Sequence, residues 1–391
     1  MRSQRIIFFL VISAVMFGFY SYISNRLFDG AGLAPALLTG AKTLMAFLFL
    51  VQWFLPAVLW NRTQSLPAAL KSFLYWTAYL SMGYFSFLLF LLVVRDLAWL
   101  GLAGAYALKW ISSDGRDLLY SGPAALALAG TALVFFIFGL FGALLTPPVK
   151  KVNIPIPDLP EGLNGFKIVQ LTDLHVGPSI QSGFLEKVVR RANGLEPDLT
   201  VVTGDLIDGT VEQLKEEVKP LGELSAKLGK YYVTGNHEYY WGAEDWIAKV
   251  RELGLTPLLN SHETVQRDGA VLTVAGLLDL TAAHFDPKTP ADPKAAFQGA
   301  PEKSFRLLLA HQPKSAFGAE GLFDLQISGH THGGQFLPWT LIVGLFQPLS
   351  RGLYRVKDAW VYVSQGTGFW GPPFRLGASS EITLLTLQKA S

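Results

Sequence analysis

The sequence predicts two regions of different class: a multi-span α-helical membrane region, then an α/β domain. Three observations carry this. Residues 1–150 hold only 14 charged side chains (10 Lys/Arg, 4 Asp, no Glu) and no His, whereas the rest of the chain holds 48. Four long stretches of that first region carry no charge at all. All seven histidines fall after residue 170, and five of them sit in short motifs rich in Asp, Asn and Gly. A chain of 391 residues has room for two such regions.

The charge-free stretches are 6–25, 43–61, 72–94 and 118–149. Each accommodates the ~20 apolar residues that cross a bilayer core as a helix. They predict spans at 6–24, 43–60, 73–94 and 124–145, so that 1–146 forms the transmembrane region. Trp53, Trp60, Trp76 and Tyr120 lie near the span ends, where interfacial aromatics belong. The run 97–108 is too short to span and reads as an interfacial or re-entrant piece. Arg2 and Arg5 before an apolar run also suit a cleaved signal, but the run is long and no small-x-small site follows it. The apolar residues go all the way round each helix, which argues against a soluble bundle.

With four spans, Arg2, Arg5, Arg62, Lys71, Lys150 and Lys151 share one side, and Arg26, Lys42, Arg95, Lys109 and Arg116 the other. The count barely discriminates; the short basic N-terminus and the Lys150-Lys151 pair favour a cytoplasmic C-terminal domain. Pro147 and Pro148 end the last span, and 147–165, with Pro155, Pro157 and Pro160, reads as an extended connector.

From 166 to 391 apolar runs alternate with amphipathic ones. Strands are expected at 166–171, 199–203, 230–234, 306–310, 325–328, 360–364 and 381–387, with a hairpin over 265–274 turning at Asp268-Gly269. Helices are expected at 183–195, 211–228 and 243–253. The order is α/β at first and richer in β later.

The net charge of +2 divides into +6 and −4 for the two regions, so neither is basic enough to suggest nucleic acid as a partner. The absence of Cys excludes disulfides and thiolate metal sites. What remains is an oxygen and imidazole ligand set: Asp173-Leu174-His175, Gly204-Asp205, Gly235-Asn236-His237-Glu238, His311, and Gly329-His330-Thr331-His332. Such a set suits a pair of divalent first-row ions. Asp173, Asp205 and Asn236 each fall just after an expected strand, where open α/β sheets bind ligands. A phosphodiester is anionic and repels hydroxide; two ions about 3.5–4 Å apart neutralise it and activate a water. Asp205, after Gly204 in a tight turn, is the natural bridging carboxylate. His237, beside a ligating Asn236, is free to face the substrate, stabilise developing charge or protonate the leaving oxygen. Glu238 is expected to orient it.

These five blocks, in this order, resemble the calcineurin-like metallophosphoesterase superfamily over about 165–388. Finer features, the 171–175 strand end, the 329–335 run and the 366–387 tail, resemble a branch of bacterial phosphodiesterases often attached to membranes. The resemblance implies a β-sandwich flanked by helices over 166–391. It implies that Asp173, His175, Asp205 and His332 bind one ion, that Asp205, Asn236, His311 and His330 bind the other, and that His237 is catalytic. Mn²⁺, Fe²⁺ and Zn²⁺ all suit these ligands.

Other residues invite two readings. Asp208 either supports the site from behind or caps a turn, and the turn role is favoured. His262 and His284 are expected to be ordinary loop residues. Arg351, Arg355 and Arg375 either grip a substrate phosphate or form structural pairs. Tyr239, Tyr240 and Trp241 line a substrate path or pack at a helix start. The segment 336–349 is unusually apolar for a loop and either dips into the bilayer or covers the sheet.

The expected function is hydrolysis of a phosphodiester or pyrophosphate by metal-activated water, in a multi-pass protein of the bacterial cell membrane. The partners are the lipid bilayer and a phosphate-ester substrate, lipid-linked esters included. The alternatives are a phosphomonoesterase or protein phosphatase, and a non-catalytic metal-binding regulatory module. A transporter reading is disfavoured, because the spans hold almost no acidic residues for an ion relay.

Overall fold

In the computed structural model, which describes residues 2–29, 32–59, 66–112 and 116–390, the chain divides into two compact units. One comprises Met1–Leu140 with Gly371–Phe374, the other Phe141–Trp370 with Arg375–Ser391.

The first unit is helical: α1 (Arg2–Phe28), α2 (Pro35–Leu59), α3 (Ala68–Ala107), α4 (Arg116–Leu119) and α5 (Gly122–Leu144). Among the described residues three helices are long and apolar enough to cross a membrane: Pro35–Phe54, Ala69–Ala107 and Gly122–Leu144. The expected spans 43–60, 73–94 and 124–145 fall in α2, α3 and α5, except that residue 60 lies outside the described residues. The expected span 6–24 falls in α1, some of whose side chains are also outside them. The 97–108 run is not a separate piece. It continues α3, whose 40 residues extend to roughly 60 Å at 1.5 Å each, well beyond a bilayer core.

Polar groups in this unit find one another. Gln52 donates to Ser81 Oγ at 2.8 Å between α2 and α3, and Trp53 donates to Ser13 Oγ at 2.8 Å between α2 and α1. Asp96 accepts from Arg95, Tyr22 and Tyr120 and pairs with Arg26 at 3.0 Å. In an apolar setting an unpaired carboxylate would be costly, and this one has four partners.

The second unit is a sandwich of two six-stranded sheets. Its strands are β1 (Val149–Ile156), β2 (Lys167–Leu171), β3 (Leu199–Thr203), β4 (Lys230–Val233), β5 (Thr256–Pro257), β6 (Ser261–Arg267), β7 (Ala270–Gly276), β8 (Phe305–Leu309), β9 (Leu325–Ser328), β10 (Gly352–Val356), β11 (Ala359–Val363) and β12 (Ile382–Lys389). One sheet runs β1-β12-β2-β3-β4-β5, the other β10-β11-β9-β8-β7-β6. β2, β3, β4 and β5 are parallel, as are β7, β8, β9 and β11. The helices are α6 (Ser182–Asn193), α7 (Val211–Leu214), α8 (Asn236–Trp241), α9 (Ala243–Glu252), α10 (Ala282–Phe285), α11 (Pro293–Ala296) and α12 (Trp339–Phe346).

The period-two alternation of the strands explains the layers. Ile168, Leu199, Val201, Tyr231 and Val233 face Leu307, Leu309, Leu325 and Ile327 in the core between the sheets. Their neighbours Val169, Val202 and Tyr232 pack on the other side against Val188 and Val189 of α6 and Trp246 of α9. On the second sheet Leu308, Val361 and Val363 pack with Ala296, Phe297 and Ala316. The result is the expected β-sandwich flanked by helices.

Three local expectations are corrected. The connector 147–165 contains β1, paired in parallel with β12; it is an edge strand, which tolerates Pro155. The helix expected over 211–228 stops at Leu214 and resumes only as a 3₁₀ turn at Lys219–Glu223, where Pro220 lacks the amide a helix needs. The segment 336–349 is not a loop but carries α12.

β1 places Lys150 3.1 Å from the buried Glu381, which also accepts from Tyr362 and Gln365. Burial opposes the Glu381 charge, but Lys150 and these donors outweigh it and hold the carboxyl below its usual 4.5. A depressed carboxylate contributes stability above its unfolded pKa and loses it as pH falls through the folded value. Lys150→Met is therefore expected to lower the melting temperature at pH 7 and to lower it progressively less as pH falls below 4.5, measured by thermal unfolding of the full chain in detergent.

Candidate metal centre

Five parallel strands end at one point. β2 leads to Asp173 and His175, β3 to Asp205 and Asp208, and β4 to Asn236 and His237; from the opposite sheet, β8 leads to His311 and β9 to His330 and His332. Just beneath, Gln170 of β2 donates to Thr203 Oγ1 (2.7 Å) and to the Ser328 carbonyl (2.9 Å), tying the two sheets at this edge.

The turns that follow the strands are strained. Asp173, His175, Asp205, His330 and His332 all have φ between +49° and +74°, a region non-glycine residues rarely adopt. Close backbone approach is needed too. A Cβ on Gly235 would lie 2.2 Å from Asp205 Oδ1, and one on Gly329 2.2 Å from Asp173 Oδ2.

The side chains form three groups, each able to hold a metal ion: Asp173, His175 and His332; Asp205, His311 and His330; and His175, Asp208 and His237. Asp205 stands among them. Its Oδ2 is 3.2 Å from His311 Nε2 and 3.9 Å from both His175 and His237 Nε2, while Oδ1 accepts from the His237 amide at 2.9 Å. Asp173 accepts the His330 amide (2.9 Å) and the Thr172 hydroxyl (2.8 Å), and lies 3.5 Å from His332 Nε2. His175 and His332 Nε2 face each other at 3.1 Å, and His330 Nδ1 lies 3.2 Å from His311 Nε2.

Hydrogen-bond partners decide the tautomers. A carbonyl only accepts, so His311 donates from Nδ1 to Thr203 O at 2.8 Å and turns Nε2 inward toward Asp205. Asp208 Oδ1 faces Nδ1 of both His175 (3.2 Å) and His237 (2.5 Å), which turns both Nε2 atoms toward Asp205. Asn236 Oδ1 is buried with no hydrogen-bond partner. Carboxylate oxygens, imidazole nitrogens and the Asn236 amide oxygen thus converge on one cavity, the kind of atom set that divalent cations take.

Burial opposes a charge on His311, but Asp205 outweighs it and holds that ring well above its usual pKa. Burial opposes the Asp205 charge, yet His311, His237 and His175 hold its pKa well below the usual carboxylate range. Burial, with Asp205 nearby, pushes Asp173 up. Burial and His311 lower His330 to about 3, and burial and Arg375 lower His332 well below its usual value, so both imidazoles stay neutral and available as ligands. For His237 burial favours the neutral ring, but Asp205 and Asp208 outweigh it and raise its pKa to about 9.

The structure brings all eight expected site residues, Asp173, His175, Asp205, Asn236, His237, His311, His330 and His332, to this one edge. Expectations change for Asp208, Glu238 and His262, and for Arg375 and Arg355 one of two open readings is favoured. Asp208 is not a turn cap; it braces two histidines. The signal was present only as a second Asp in Gly204-Asp205-Leu206-Ile207-Asp208. Glu238 does not orient His237; its carboxylate accepts from the amides of Gly235 (2.6 Å), Leu206 (2.7 Å) and Asp205 (3.2 Å) and so clamps the Gly204-Asp205 turn. Arg375 is buried, donates to the carbonyls of His332, Gln365 and Gly368, and stands 3.1 Å from His332 Nδ1, so it supports a histidine rather than gripping substrate. Arg355 stacks on Trp360. His262 lies on β6, not in a loop, and bonds to Ala296 O.

Around His237 the wall is aromatic. Tyr240 and Trp370 lie 5.3 and 5.9 Å from its ring, and Phe285 lies 6.0 Å from Tyr240. All three are more than half exposed, so the site opens to solvent on this side.

A helix-flanked β-sandwich with carboxylates and imidazoles gathered at its strand ends defines a metal-dependent class of protein. A family model described as calcineurin-like phosphoesterase matches residues 166–334. The chain is 38% identical over 291 residues to a transmembrane protein with metallophosphoesterase domain from Danio rerio, covering 71% of this chain and 66% of that one. It is 36% identical over 280 residues to an uncharacterized metallophosphoesterase from Campylobacter jejuni, covering 70% of this chain and 73% of that one. Among solved structures, that of the calcineurin-like phosphoesterase YfkN from Bacillus subtilis matches with a TM-score of 0.33 and 15% identity, over 50% of this chain and 87% of that one. The match spans just under two thirds of the Danio rerio protein and of its Bos taurus counterpart, at 66% and 65%. The chain belongs to the calcineurin-like phosphoesterase family.

Gly329→Ala is expected to displace Asp173 and lower the divalent metal bound per purified chain. Gly344→Ala, where an added Cβ meets nothing within 4 Å, is expected to leave metal content unchanged. Elemental analysis of both variants checks this.

Proposed function

We propose that this protein is a membrane-anchored phosphoric ester hydrolase with two divalent ions, acting on a phosphodiester or pyrophosphate, lipid-linked substrates included. One observation carries the reading: carboxylates and imidazoles from five strand ends gather around the buried Asp205 in sets that could hold metal ions, and Asn236 Oδ1 is buried and unpartnered. Asp173, His175, Asp205 and His332 would hold one ion, and Asp205, Asn236, His311 and His330 the other. Mn²⁺, Fe²⁺ or Zn²⁺ fits this carboxylate, amide and imidazole set. Two such ions, when bound, neutralise phosphate charge and make hydroxide available at neutral pH.

The chain's own residues supply the rest. Asp208 holds His237 by Nδ1 and keeps Nε2 pointing into the site. With a pKa near 9 that ring carries a proton at neutral pH, and it donates the proton to the departing oxygen as the ester bond breaks. Tyr240 and Trp370 flank His237 and offer aromatic faces to the leaving group. The helices able to cross a membrane supply the anchor. The basic N-terminus and Lys150-Lys151 favour a cytoplasmic site.

The full chain in detergent, assayed with bis(p-nitrophenyl) phosphate and Mn²⁺, is expected to turn over and to stop with chelator or with Asp205→Asn. His237→Ala is expected to lower kcat about 10²–10⁴-fold. A histidine with a raised pKa loses its proton as pH rises through about 9, so activity should fall on that limb. Asp208→Asn should move the limb to lower pH. Turnover indifferent to chelator would refute the metal reading. A folded, metal-loaded chain inert on diesters would favour the monoesterase or regulatory alternatives.

A further inference from the structure

We infer that α12 is a membrane-docking element: it lies in the lipid headgroup region and holds the rim of the metal centre against a bilayer surface. The helix reads Trp339-Thr340-Leu341-Ile342-Val343-Gly344-Leu345-Phe346, and none of its residues is buried. Leu341, Leu345 and Phe346 are 68%, 81% and 77% exposed. An apolar helix that covers a sheet buries its side chains; this one turns them outward, so the covering alternative fails. Contiguous exposed apolar surface of this kind marks an interaction site.

The occupant is argued from three further observations. No charged residue occurs from 333 to 350, and the exposed Arg351 and Arg355 follow directly, whereas Lys357 is paired with Glu320; the two arginines suit an anionic lipid surface. The chain also carries helices able to cross a membrane, the last ending at Leu144, only four residues before β1 begins at Val149. Four extended residues reach at most about 14 Å, so this unit is tethered close to where that helix leaves the lipid. Finally, α12 is rooted in the metal centre. Gln335, three residues beyond His332, exchanges two hydrogen bonds with the Trp370 backbone (2.9 and 3.0 Å), and Phe336 bridges to Leu376 and Gly377. A bilayer that receives Leu345 and Phe346 therefore lies beside the aromatic rim.

The inference concerns docking and stands independently of turnover. The sequence has no cysteine, so single labels can be placed in the full chain without background. Leu341→Cys, Leu345→Cys and Phe346→Cys, each carrying an environment-sensitive fluorophore, are compared in lipid nanodiscs with Glu302→Cys, an exposed residue before β8 at the strand end remote from the site. The expected result is that lipid-borne nitroxide quenches the α12 labels several-fold more than the Glu302 label, and that aqueous iodide does the reverse. Iodide access at α12 equal to that at Glu302 would overturn the inference. So would protection from both quenchers, which would mean that protein, such as a second copy of this chain, covers the helix. Three separate label sites keep the result readable if one variant folds poorly.

Discussion

Taking a carboxylate out of water costs several kcal/mol unless other groups replace its hydration. Asp205 is almost wholly buried, and the rest of the centre is arranged around that fact. Three imidazoles face it, its Oδ1 takes the His237 amide, and its own amide is held by Glu238. Glu238 is itself a buried carboxylate, pushed up by burial and by Asp205, and it is retained by three backbone amides. The two acids thus divide the work. One presents charge to the cavity, and the other fixes the loop that presents it.

The cost of this arrangement is carried by the backbone. Residues with side chains in left-handed turns destabilise a fold by about 1–2 kcal/mol each. Five of the site residues adopt such turns, and they persist because the sheets beneath leave no alternative. The core between the sheets holds the strand ends in register, and Gln170 locks the two layers directly under the site. Glycine is required at 235 and 329 for steric reasons, since any side chain there would occupy the space of Asp205 or Asp173.

Histidines here differ in role although they share one cavity. His311 is fixed by a carbonyl, His175 and His237 by Asp208, and His332 by Arg375. Each partner sets which nitrogen is free and whether the ring is charged. His237 alone of these four has a largely exposed aromatic wall beside it.

Much of this was legible in the sequence for a physical reason: metal ligands and strand ends are local features. Short apolar runs marked β2, β3, β4, β8 and β9, and polar residues immediately after such runs were placed at the sheet edge by that fact alone. The apolar, charge-free stretches marked the membrane helices by the same local logic. Long-range pairing was not legible. β1 sits where a proline-rich connector was expected because β12, more than two hundred residues away, offers it an edge. The partners of Asp208, Glu238 and Arg375 come from other loops, so their roles follow from three-dimensional contact rather than from spacing. The exposure of Leu341, Leu345 and Phe346 on α12 depends on which of the described residues folding brings beside them. By itself the sequence determined the chemistry of the ligands and the elements that carry them, because both are written in adjacent residues. Tertiary structure alone decided which nitrogen of each histidine turns inward, which acids brace the centre, and which apolar surface stays exposed, because each depends on neighbours that folding brings together.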